Sequence, residues 1–214
     1  MFKLNGKIKQ AGMSYVELIV VLSIFSALSG LAIFNYGAFQ NKVDIKNMAS
    51  DIASKIVEAQ RASLAGQWPP VSFTTPDGWK PSYGVYFNSS TATDSDGIPF
   101  NKKFIYFVDV NANDQYTGTS DCSNGTDECL SKIRITKDSK ISSIKKCTGE
   151  DEVNDCNPII GNSLSITFQR PDSGATFFPS LVDTYKYVLI TVSSSDETAN
   201  AFIKIYRSGR VQIN

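Results

Sequence analysis

The chain has 214 residues, with 21 Lys and Arg against 21 Asp and Glu and no histidine. The absence of imidazole excludes Ser-His-Asp, Cys-His and His-zinc chemistry. A balanced charge with no basic stripe beyond Lys145-Lys146 excludes bulk nucleic-acid binding driven by counterion release.

Residues 1–12 carry Lys3, Lys7 and Lys9 and no acid. After Gly12 the chain turns apolar, and from Leu18 to Phe34 it holds no ionisable residue, with apolar character running on to Phe39. A helix there would reach roughly 30 Å, about one hydrocarbon core, and reads as a transmembrane span. The leader lysines orient it with a cytoplasmic N-terminus, exporting everything after about Gln40. Glu17 stands out. A carboxylate inside such a segment costs about 2.5–3.5 kcal/mol on insertion scales and marks a functional position that needs a partner. The competing reading, a secretory signal peptide cut near Ala27-Leu28-Ser29, does not account for an acid at the start of its apolar region.

Beyond residue 40, Ile45, Met48, Ile52, Ile56, Ala59 and Ser63 recur at three- and four-residue steps, the pattern of an amphipathic helix. No proline interrupts Met13 to Ala65, and Gly66 followed by Pro69-Pro70 is a stop signal, so one helix of about 50 residues is expected. Seven strands are expected after it: 71–74, 83–87, 104–108, 131–135, 164–168, 187–192 and 202–206. Turn residues at Pro76-Asp77-Gly78, Asp96-Gly97, Pro171 to Gly174 and Ser208-Gly209 connect them. The expected fold class is α+β: a long N-terminal helix, membrane-spanning in its first half, packed on a mainly antiparallel sheet head.

Cys122 and Cys129 lie seven apart, and Cys147 and Cys156 nine apart, in polar surroundings. An exported even set reads as disulfides, and of the three possible pairings the two local ones each close a short excursion between strands. A four-thiolate zinc site is the alternative, with spacings too long for the usual knuckles. Asp109, Asn111 and Asn113 alternate like the start of a calcium loop, with Asp114, Thr117 and Asp121 nearby. Asp114 stands where such a loop requires glycine and Ser120 where it requires glutamate, so calcium competes with a plain polar hairpin. Asp94, Asp96 and Gly97 read as a solvated acidic turn. No nucleophile motif or phosphate-cradling loop is present, so neither an enzyme nor a resident cofactor is expected.

Lys9-Gln10-Ala11-Gly12 followed by Met13-Ser14-Tyr15-Val16-Glu17-Leu18 resembles the class III signal of type IV pilins and type II secretion pseudopilins. The resemblance implies cleavage after Gly12 by a prepilin peptidase, N-methylation of Met13, and a role for Glu17 in assembly through the amine of a neighbouring subunit. It implies as partners the peptidase, other pilin or pseudopilin subunits and an inner-membrane assembly platform. The domains would be a leader over 1–12, a filament-core helix over 13–39, its amphipathic continuation over 40–66 and a β-rich extracytoplasmic head over 67–214. Met13 replaces the family's usual phenylalanine, and Phe34 stands where major pilins carry a proline. Glu58 to Ser63, Trp79 with Tyr83 to Phe87, Phe107 to Asn111 and Tyr206 to Val211 are similar to H-type minor pseudopilins and their FimT-like relatives. The implied function is a structural filament subunit in a pilus or secretion pseudopilus. A membrane-anchored extracytoplasmic binding module that never assembles is the alternative.

Overall fold

A computed structural model describes residues 12, 14–70, 73, 75–80, 82–118, 122, 128–149, 151, 154–181 and 184–214, without the side chains of Ala32, Phe34, Asn35 and Ala38. The leader lysines, Met13, Ser120 and Asp121 lie outside these residues, as does most of the expected strand over 71–74. Helix α1 spans Tyr15–Leu64, and ten strands follow among the described residues. They are β1 Ser82–Asn88, β2 Lys103–Val108, β3 Cys129–Arg134, β4 Lys140–Cys147 and β5 Cys156–Pro158, then β6 Ser163–Gln169, β7 Ala175–Phe178, β8 Tyr187–Ser193, β9 Asn200–Tyr206 and β10 Val211–Ile213. The chain divides into two compact units, residues 1–40 and 41–214.

In the first unit, α1 has Glu17 in its opening turn, where a carboxylate suits the positive end of the helix dipole. Its apolar side chains are exposed. In the second unit, Ile45, Ala49, Ile52, Ile56, Ala59 and Ser63 form the buried stripe of residues 41–64, with Met48 half-buried beside it. The helix stops at Gly66, whose φ of +66° is the left-handed conformation open to glycine. Gln67 N–H bonds back to Ala62 O and Gly66 N–H to Ser63 O, satisfying carbonyls that the helix end would otherwise leave bare.

The β region departs from the expected architecture. The β region is two five-stranded antiparallel sheets, ordered β3-β2-β1-β6-β7 and β10-β9-β8-β4-β5, where one sheet under a membrane-spanning helix was expected. The second sheet went unseen because β4 is bulged and β5 and β10 are only three residues each, too short to show an alternation. Among the described residues no helix is long and apolar enough to cross a membrane. That finding overturns the expected transmembrane span and the single-pass membrane placement built on it.

Both sheets and the buried stripe of residues 41–64 share one core. Tyr83, Val85 and Phe87 of β1, Phe104, Tyr106 and Val108 of β2, and Val188, Ile190 and Val192 of β8 alternate into it. The opposite face of each sheet carries a second, smaller cluster. Ile105 and Phe107 gather with Tyr116 and the Cys122–Cys129 bridge, and Tyr187 and Leu189 gather with the Cys147–Cys156 bridge. Gly84 makes room for the first of these, since a side chain there would stand 2.7 Å from the Phe107 ring.

Candidate functional site

The most conspicuous feature of the first unit is apolar surface without cover. From Tyr15 to Phe39 the described large apolar side chains of α1 are exposed, from 45% at Leu18 to 77% at Tyr15, on every side of the helix. An all-round apolar helix is ordinarily a buried one. Glu17 stands among these residues and is exposed as well. The arrangement offers a hydrophobic rod with one carboxylate near its start, a surface for association rather than for chemistry.

The four cysteines form two disulfides, Cys122–Cys129 and Cys147–Cys156, with Cα atoms 5.1 and 4.1 Å apart. Cys147 and Cys156 are also opposite each other in the β4–β5 ladder, so the bridge closes a hairpin. No thiolate remains for zinc.

Asp109, Asn111 and Asn113 do come together, but their oxygens point at the backbone. The buried Asp109 carboxylate accepts N–H bonds from Asn113 at 3.2 Å and Asp114 at 3.0 Å. Asn111 Oδ1 accepts the Asn113 N–H, and Asn113 Oδ1 the Gln115 N–H. The two Asn bonds are Asx turns, and Asp109 reaches four and five residues on, so the side chains organise their own loop. Among the described residues no group of three His, Cys, Asp or Glu could hold a metal ion. Asp109 O also accepts the Trp79 indole N–H at 2.7 Å, tying the loop to the segment before β1.

Glu128, which sequence reasoning passed over, lies beside this loop at 3% exposure. Its Oε2 accepts the Thr117 N–H and hydroxyl at 2.8 and 3.0 Å, while Oε1 is buried with no hydrogen-bond partner among the described residues. Burial pushes the Glu128 carboxyl up, and the bonds from Thr117 only partly counter it. Burial likewise raises Asp109 despite its bonds from the backbone.

The acidic turn is exposed at Ser95, Asp96 and Gly97 but anchored to the sheet through its two carboxylates. Lys103, the first residue of β2, is 2% exposed and pairs with Asp94 at 2.5 Å and Asp96 at 3.4 Å, and Lys132 of β3 pairs with Asp96 at 2.5 Å. The turn clasps the sheet edge through a buried ammonium. No sequence periodicity marks such a contact, which depends on two residues brought together across a loop.

No family model, curated protein or solved structure matches this chain.

Proposed function

We propose that this chain is a structural subunit of a helix-cored filament of the type IV pilin and type II secretion pseudopilin kind, cut after Gly12 by a prepilin peptidase and methylated on Met13. The observation that carries this reading is the exposure of every described large apolar side chain of α1 from Tyr15 to Phe39. Apolar area left in water costs about 25 cal/mol per Å2, so this surface gains by packing against like helices. The signal around Gly12 and the carboxylate at Glu17 supply the processing and pairing chemistry that such a filament requires. The two disulfides suit an oxidising compartment. Its partners are the peptidase, sister subunits and an assembly platform, and its work is mechanical, with no catalytic step of its own.

Mass spectrometry of the N-terminal peptide, on protein made alongside the cognate peptidase, tests the reading. The expected product begins at N-methylated Met13. An intact leader, or a terminus near Gly30, would overturn it.

A further inference from the structure

We propose that Trp68, Trp79, Lys80 and Arg170 form a binding site for an acidic saccharide. The site lies wholly within residues 41–214 and does not depend on the filament reading. An open cavity of about 290 Å3 is lined by Trp79, Lys80, Arg170 and Pro171. Beside it stands Trp68, 68% exposed, its ring centroid 5.9 Å from that of Trp79 and tilted by 48°. An indole this exposed buries little apolar area for the fold, so packing does not account for it.

Trp79 and Arg170 are held by their surroundings. Trp79 is nearly buried, and its indole N–H is bound to Asp109 O, so its orientation is set before any ligand arrives. Pro69 and Pro70 stiffen the chain directly after Trp68. Arg170 follows the last residue of β6, and its Nη1 lies 2.7 Å from where a side-chain carbon on Gly66 would stand. The guanidinium therefore rests against the end of α1 in space that only glycine leaves open. Among the described residues, neither Lys80 nor Arg170 forms an ion pair.

A rigid aromatic face beside two cations selects a ligand with a flat apolar side and a negative charge. A uronate ring has both: its C–H face stacks on indole, and its carboxylate meets the guanidinium in the fork geometry that arginine favours. The cavity is of the size of one or two such rings, near the small end of ligand pockets. Single-stranded nucleic acid also stacks on indole, but it takes its affinity from a basic track along many phosphates, and the site offers two cations. An extended peptide takes its affinity from an open strand edge. The four lining residues lie outside every strand, and the edge strands are β3, β7, β5 and β10.

Isothermal titration calorimetry on the full chain decides the matter, with trigalacturonate, its methyl ester and a thymidine trinucleotide as probes. Trigalacturonate is expected to bind about ten-fold or more tighter than the ester, since a charge-assisted contact is worth about that much, and the trinucleotide no tighter than the ester. Trp68→Ala should weaken trigalacturonate by about ten-fold while Trp68→Phe, which keeps a ring, holds most of the affinity. Arg170→Ala should weaken the free acid and leave the ester unchanged. Because Trp68 is exposed, its replacement leaves the core intact, and an unchanged urea-unfolding midpoint checks this. Equal binding of acid and ester, no binding of trigalacturonate at millimolar concentration, wild-type affinity in Trp68→Ala or tighter binding of the trinucleotide would each overturn the proposal.

Discussion

The Ser63 hydroxyl, fully buried on α1, donates to the Phe168 carbonyl of β6 at 2.5 Å and accepts the Tyr83 N–H of β1 at 3.0 Å. Tyr83 and Phe168 are opposite each other in the β1–β6 register. A helix side chain is therefore inserted where two strands meet and satisfies one backbone group on each. Ser63→Ala would leave that donor and that acceptor buried and unpaired, at a cost of about 1–3 kcal/mol. Urea unfolding should show a lower midpoint with an unchanged slope, since the surface exposed on unfolding is the same.

Lys103 is held by Asp94 more firmly than a surface ion pair would be, because both side chains are withdrawn from water. Burial alone would raise the Asp94 carboxyl, but the Lys103 ammonium outweighs it and holds the group below the usual carboxylate range. Asp94→Ala strands the ammonium and should cost about 3 kcal/mol, the low end for a broken buried pair, because Asp96 remains 3.4 Å away. Adding Lys103→Met removes the stranded charge and should recover most of that loss. A double-mutant cycle by urea unfolding measures both.

At Glu128 the pH dependence has the opposite sign. Its native pKa lies above its ordinary value of 4.5, so the folded state binds the proton more tightly than the unfolded one. The stability it contributes is complete below that value and is lost as pH rises through the native pKa. Glu128→Gln cannot titrate there. The stability of wild type minus that of the variant should fall as pH rises from about 4 to about 7, and the subtraction cancels the carboxyls that do not interact with Glu128. Urea midpoints across that range give the difference, and a flat or rising difference would contradict the buried, partly unsatisfied carboxyl seen here.

Six strands were legible because each is a short run rich in β-branched and aromatic residues set between turn residues, as Tyr83 to Phe87 is along β1. β4 was not. Its buried residues Ile141, Ile144 and Cys147 fall three apart, because the ladder to β8 slips between Ile141 and Ser143, and a bulge erases the two-residue period. The buried stripe of residues 41–64 was readable from its spacing, though Ala49 takes the position given to Met48, the smaller side chain allowing the closer approach. The cysteine pairs were readable from their separation. Asp94 and Lys103 were not, since a turn acid and a strand lysine carry no mark of their mutual burial. The indole pair was hidden for the same reason: Trp68 and Trp79 are distant enough in sequence that only the fold makes them neighbours.

Glu17 offers the sharpest test of assembly. In the isolated chain its carboxylate is exposed to water and costs nothing. When the apolar helix around it packs against others, the charge must leave water, and an unpaired buried carboxylate costs several kcal/mol unless a cation meets it. On the proposed filament reading, the amine freed at Met13 of a neighbouring subunit would be such a cation, a helical turn away in sequence. Glu17→Ala removes the attraction and leaves the amine without its counter-charge. It should therefore leave folding and cleavage after Gly12 unchanged while lowering incorporation into filaments by about ten-fold or more, and Glu17→Asp, shorter by one methylene, should fall between. Processed protein is measured in sheared-filament and cell-retained fractions for each variant, with urea unfolding to show that the β sheets are intact. Incorporation of Glu17→Ala at the wild-type level would mean that the helices associate through apolar packing alone, and that the carboxylate has no part in assembly.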